Sequence, residues 1–221
     1  MNIDIDKIMQ ILDNTYEANN LISSMEEADD PYKLLISCLL SLRTKDETTY
    51  PAAKRLFKLA GTPQDMIKLN PKIIEETIYP VGFYHNKTQT ILTISKLLIE
   101  QYDGKVPADM DKLLEFKGVG RKTANLVLAR GFKIPAICVD THVHRISNRL
   151  GYVKTKNPEE TEMTLRKNLP SKWWFTINTV LVRHGQETCK PTAARCFECP
   201  VEKYCLKVDV KMAKYTKPKI K

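Results

Sequence analysis

Four cysteines crowd into seventeen residues: Cys189, Cys196, Cys199 and Cys205, spaced C-x6-C-x2-C-x5-C. Whatever joins these thiols fixes the path of the chain around them. In a reducing compartment thiols stay free, so a tight group of four points to a metal centre ahead of disulfides. Four thiolates can close around one zinc ion or one iron–sulfur cluster. Zinc sites usually come as two close pairs, and only Cys196 and Cys199 form such a pair here. The wider single spacings favour a [4Fe–4S] cluster and leave zinc open. The stretch has few large apolar residues, so a metal would stand in for hydrophobic core. Lys190, Arg195, Lys203 and Lys207 lie in or beside it, placed to offset an anionic centre or to meet a phosphate backbone. Cys38 and Cys138 sit apart in apolar runs and read as small buried hydrophobes.

The rest of the chain reads as helix almost throughout. Residues 31–42, PYKLLISCLLSL, are apolar nearly all round, which predicts a central buried helix. Asp30-Pro31, Thr62-Pro63, Asn70-Pro71 and Asn157-Pro158 each pair a capping side chain with a proline at the first helical position. Helical spacing recurs over residues 87–101 and 171–184. The one strand-like run, Ile137-Cys138-Val139, ends at once in Asp140. The expectation is an all-α protein with about ten helices. Its 221 residues make one large domain or two small ones, and 43% apolar with 28% charged residues excludes a disordered polymer and a membrane bundle. No run of about 18 apolar residues occurs. The opening MNIDIDKIMQ is unlike a signal peptide, so an intracellular protein is expected.

The formal net charge of +9 favours polyanionic partners. A specific place for one lies in Phe116-Lys117-Gly118-Val119-Gly120-Arg121-Lys122. Two glycines one residue apart allow a tight turn between helices and a close backbone approach. Amides at the start of the following helix, with Lys117, Arg121 and Lys122 beside them, suit a phosphate. Such a hairpin would grip DNA backbone without reading sequence. The plain alternative is a helix corner with a glycine cap.

Gly118-Val119-Gly120-Arg121-Lys122-Thr123-Ala124-Asn125, then Val139-Asp140-Thr141-His142-Val143, then the four cysteines, together resemble the endonuclease III family from about residue 30 to Cys205. These are helix–hairpin–helix DNA glycosylases with an iron–sulfur loop. The resemblance implies excision of oxidised pyrimidines from double-stranded DNA, followed by nicking through β-elimination, and it favours [4Fe–4S] over zinc. It implies that Lys122 is the catalytic lysine and Asp140 the catalytic aspartate. Two helical domains follow from it. A six-helix barrel over residues 24–134 contains the hairpin at about 113–130. A discontinuous iron–sulfur domain comprises 1–23 and 135–206, and residues 207–221 form a basic tail. The active site is implied to lie in the cleft between the domains.

Further roles come by the same route. Lys117, Gly118, Val119, Gly120 and Arg121 are expected to contact DNA. His142, at the start of the Asp140 helix, matches a family position that can touch phosphate or cap the helix, and the structural role is the favoured one. Ser41 and Asp46 match polar positions lining the family's cleft. Two positions depart from the family pattern. Arg43 stands where glutamine is common, at the residue that fills the gap left by a flipped base. Phe83 stands at a leucine-type wedge position, and phenylalanine can intercalate a base step. These changes bear on lesion range and opposite-base preference rather than reaction type. A monomer is expected, in a prokaryotic cytoplasm or nucleoid rather than a nucleus. The rivals are a monofunctional mismatch or adenine glycosylase, against which Lys122 counts, a non-catalytic DNA-binding module, and a cluster-dependent redox protein.

Overall fold

The computed structural model describes residues 3–16 and 30–214. The chain divides into a continuous unit, Glu26–Ile134, and a discontinuous one, Met1–Met25 with Pro135–Lys221. The expected boundary at residues 23 and 24 lies outside the described residues. Among the described residues there are eleven α-helices and no β-strand. Helix α1 (Ile5–Tyr16) precedes the continuous unit, which carries α2 (Pro31–Ser41), α3 (Asp46–Leu59), α4 (Pro63–Met66), α5 (Pro71–Ile78), α6 (Tyr84–Tyr102), α7 (Met110–Leu114) and α8 (Arg121–Leu126). A π turn, Val127–Gly131, prolongs α8. Helices α9 (Thr141–Leu150), α10 (Pro158–Asn168) and α11 (Ile177–Glu187) follow in the discontinuous unit.

The helix starts follow the cap-plus-proline rule. Asp30 Oδ1 accepts the Tyr32 and Lys33 amides at 2.9 and 3.1 Å. Thr62, Asn70 and Asn157 each accept an amide of the turn they open. Each such cap is worth about 1 kcal/mol. Helix α2 buries residues all round its axis, among them Leu35, Ile36, Leu39 and Leu40, and packs against α3, α6 and the π turn. Its buried Tyr32 hydroxyl meets Ser95 Oγ at 2.7 Å. Leu42 is exposed, because the helix stops at Ser41 and the chain turns away.

In the discontinuous unit Ile8, Met9 and Leu12 of α1 share a core with Val143, Ile146, Leu165, Ile177, Val180 and Leu181. Each fully buried side chain of this kind contributes about 1.5–3 kcal/mol. The helix expected over 171–184 is interrupted: Ser171–Trp173 is a single 3-10 turn and α11 begins at Ile177. The two indoles pull apart there, Trp173 donating to Asp6 Oδ1 at 2.6 Å and Trp174 to the Leu169 carbonyl at 3.0 Å. The expected tail also begins differently. Leu206 and Val208 amides bond to the Leu150 and Arg149 carbonyls, and Ala194 is bracketed by bonds to Lys211 and Ala213. The described part of residues 207–221 is thus strapped to its unit, and 215–221 lie outside the described residues. No helix among the described residues is long and apolar enough to cross a membrane.

Candidate active site and cysteine centre

The glycine hairpin joins α7 to α8. Phe116 and Val119 anchor it by burial, and the Val119 amide closes the turn on the Phe116 carbonyl at 2.9 Å. The buried Val119 side chain leaves only its backbone for a partner. Lys117, Gly118 and Gly120 are exposed, and Arg121 is half-buried. Gly118 has φ +85°, in the left-handed region. Gly120 is extended, and a Cβ built on it would meet nothing within 4 Å.

Lys122 is the second residue of α8 and is exposed. Its charge, with that of Arg130, reaches the buried Cys38 thiol, which burial nonetheless pushes up to about 11. Cys38 and Ser41 lie on α2, where Ser41 Oγ donates to the Cys38 carbonyl at 2.8 Å. Asp46 is exposed at the first position of α3. Lys122, Ser41 and Asp46 therefore all belong to the continuous unit.

So do Arg43 and Phe83. Both are exposed non-glycine residues with positive φ, +53° and +59°, a conformation that costs roughly 1–2 kcal/mol each. The Arg43 guanidinium lies 5.8 Å from the centre of the Phe83 ring. The two turns meet at Gly82, where a Cβ would stand 3.2 Å from the Arg43 carbonyl oxygen.

Asp140 opens α9 in the discontinuous unit. Its Oδ1 accepts the His142 and Val143 amides at 2.9 and 2.8 Å. Both bonds fall on one oxygen, so capping a helix and presenting charge through Oδ2 are compatible. His142 Nδ1 lies 3.1 Å from Arg145 Nη2. The ring packs so closely on α11 that a Cβ on Gly185 would overlap it. That close approach explains a mid-helix glycine which the sequence pattern left unexplained.

Cys189, Cys196, Cys199 and Cys205 line one cavity, with Glu202, Lys207 and Val210. None forms a disulfide. Among the described residues no three His, Cys, Asp or Glu side chains are gathered as ligands of a single ion. Four thiols around one cavity are a donor set that suits a thiolate-bound metal centre. Burial, with repulsion from the neighbouring cysteines, pushes Cys199 up to about 11 and raises Cys196 and Cys205. A bound metal cation would relieve this. The sulfurs also receive donors. Arg149 Nη1 lies 3.3 Å from Cys189 Sγ, and the Lys207 amide 3.3 Å from Cys205 Sγ. Buried Arg149 also donates to the Lys190 and Pro191 carbonyls at 2.8 and 2.6 Å. His184 Nε2 lies 3.8 Å from Cys199 Sγ, and its Nδ1 lies 2.9 Å from the Tyr16 hydroxyl. Burial, aided by Arg145, pushes its pKa down to about 4, so the ring is neutral. Arg149 and His184 went unnoticed in the sequence. A buried arginine at the end of an amphipathic helix carries no local signature of a partner forty residues away.

Residues 36–171 match the family model described as HhH-GPD superfamily base excision DNA repair protein. The chain is 50% identical over 176 residues to Endonuclease III of Thermotoga maritima, covering 80% of this chain and 83% of that protein. It is 35% identical over 199 residues to Endonuclease III of Escherichia coli strain K12, covering 90% of this chain and 94% of that one. Among solved structures, a trapped endonuclease III–DNA covalent intermediate superposes with a TM-score of 0.77 at 35% identity, covering 91% of this chain and 95% of that chain.

Proposed function

The chain belongs to the endonuclease III family of the HhH-GPD superfamily, and on that premise we propose which of its residues carry the reaction. It is a base-excision-repair DNA glycosylase with AP lyase activity, and its partner is duplex DNA. We assign oxidised pyrimidines as its substrates, the unit Glu26–Ile134 as the six-helix barrel, and the discontinuous unit as the cluster-bearing domain. The protein is taken to act as a monomer inside the cell, on the genome.

The hairpin supports this reading most directly. Gly118 is required by the fold itself, since its φ of +85° disfavours any side chain. Gly120 is not: a Cβ there meets nothing within 4 Å. A glycine the fold does not need suits a surface that must come against the backbone, such as a phosphodiester strand. The two substitutions should therefore separate. Gly118→Ala should lower stability by about 1 kcal/mol or more. Gly120→Ala should leave the unfolding midpoint nearly unchanged while weakening duplex binding about tenfold. Equal effects of both on stability, with binding untouched, would remove the phosphate role.

The chemistry follows from the residue types. A lesion in a duplex must leave the stack before it can be reached. Lys122 Nζ then forms a bond to C1′ as the glycosidic bond breaks, and the base departs with a proton. The Asp140 carboxylate opposes the positive charge that develops on the sugar. Ring opening gives an imine between Lys122 and C1′. Loss of a C2′ proton then expels the 3′ phosphate with its electron pair, which is β-elimination. A duplex carrying one thymine glycol, treated with borohydride during turnover, should give protein covalently attached to DNA. Base release without attachment would indicate a monofunctional glycosylase. Binding with neither outcome would leave a DNA-binding module.

The family carries a [4Fe–4S] cluster, and we assign Cys189, Cys196, Cys199 and Cys205 as its ligands here. When bound, it cross-links a loop that has little apolar core of its own. Protein purified without oxygen should be brown, with about four iron atoms per chain, and Cys199→Ser should lose colour and iron together. A colourless protein with one zinc ion would overturn the assignment.

A further inference from the structure

Lys87 stands on the first turn of α6, four residues after Phe83, and is only 8% exposed. Its ammonium donates to the Leu40 carbonyl at 2.7 Å, the Leu42 carbonyl at 2.7 Å and Thr44 Oγ1 at 3.1 Å. The two carbonyls belong to the end of α2, where a helix runs out of amide donors and favours a cation. Thr44 Oγ1 also accepts the Gly82 amide at 3.1 Å. One ammonium and one hydroxyl thus tie the turn at residues 42–44 to the turn at 82–83. The Lys87 amide holds the second turn again, donating to the Phe83 carbonyl at 3.0 Å. Burial pushes the ammonium down to about 8, a cost that its three acceptors offset.

At the outer edge of these tied turns stand Arg43 and Phe83, both left-handed and both exposed. Two strained side chains persist next to each other only where the surroundings over-determine them. We propose that Lys87 is a positioning residue that holds Arg43 and Phe83 as one rigid pair, so that opening the base stack depends on it while bond chemistry does not. The inference rests on the reading of Arg43 and Phe83 as the residues that enter the duplex. Without the ammonium the Leu40 carbonyl loses its side-chain donor, the Leu42 carbonyl keeps only the 3.4 Å bond from Thr44 Oγ1, and the two turns stay joined by the Gly82 amide on Thr44 Oγ1 alone. An unpinned pair must then be ordered each time it enters the stack, which lowers the population of the opened duplex.

The test compares single-turnover base release on two DNAs. One carries thymine glycol in a fully paired duplex, and the other carries it inside a short bubble whose neighbours are already unpaired. Lys87→Met should slow the paired duplex about tenfold or more and leave the bubble within about threefold of wild type. Equal rates on the paired duplex, or an equal loss on both DNAs, would overturn the inference, since general loss of structure moves both together. If Lys87→Met does not fold, Thr44→Val removes the shared hydroxyl at nearly constant volume and decides the matter. The same paired-versus-bubble split supports the brace, and its absence overturns it. A cycle with Phe83→Ala adds a second readout. If Lys87 acts through the Arg43–Phe83 pair, the double variant loses less on paired DNA than the two single losses combined, whereas additive losses overturn the proposal. Wild-type protein inactive on both DNAs would overturn the functional assignment, and this inference with it. An active wild type that Lys87→Met and Thr44→Val match on paired DNA would overturn this inference alone.

Discussion

Lys122→Ala protein should form no covalent adduct with DNA under borohydride and should nick abasic DNA about 10³-fold more slowly or worse. Removing the attacking atom of a covalent mechanism removes the pathway, and losses of that order or larger follow for nucleophiles in general. Lys122 is exposed at the second position of α8, so alanine costs the helix nothing in propensity and the unfolding midpoint should barely move. Duplex binding should also survive, because the hairpin backbone and Lys117 are untouched. Base release is the discriminating measurement. If the amine displaces the base, release falls together with nicking. If release stays near the wild-type rate, water does the displacement and Lys122 is only a phosphate contact, as a monofunctional glycosylase would require.

Asp140→Asn should separate the two tasks given to that residue. Asparagine ranks with aspartate as a helix N-cap. Its side-chain oxygen can still accept the His142 and Val143 amides that Asp140 Oδ1 now holds at 2.9 and 2.8 Å. Stability should therefore stay within about 0.5 kcal/mol of wild type. Excision of the base should fall about 10²- to 10³-fold, the usual loss when one charged or hydrogen-bonding stabiliser of a transition state is removed. Asp140→Ala should show the same rate loss and, in addition, lose about 1 kcal/mol of stability with the cap. Chemical denaturation beside single-turnover assays would show both patterns. An Asp140→Asn protein that is fully active, or one that is inactive only because it is unfolded, would remove the catalytic role.

What the sequence disclosed and what it hid differ in range along the chain. Caps are local: a carboxylate, hydroxyl or amide followed by proline announces a helix start, and Asp30, Thr62, Asn70 and Asn157 all do what their neighbours predict. The buried nature of α2 was equally legible, because apolar residues on every face leave no side for water. The cysteines and the glycine pair were legible as spacings. The break at residues 171–176 was not. Helical periodicity there is real, but hydrogen bonds from Trp173 to Asp6 and from Trp174 to Leu169 outweigh it. Lys87, Arg149 and His184 were hidden for a related reason. A lysine on a polar-looking helix turn reads as surface until the chain end it grips, some forty-five residues earlier, is brought beside it.

The discontinuous unit has a consequence for biosynthesis. Ile8, Met9 and Leu12 of α1 are fully buried, packed with side chains of α9 and α11. Those partners leave the ribosome only after the whole Glu26–Ile134 unit has been made. The nascent chain must therefore carry this bare oily stripe while the Glu26–Ile134 unit is made and is free to collapse first. Cys205, the last of the proposed cluster ligands, follows every helix among the described residues, so metal delivery to that site would come later still. Slow elongation past residue 134 would lengthen the time for which α1 waits for its partners.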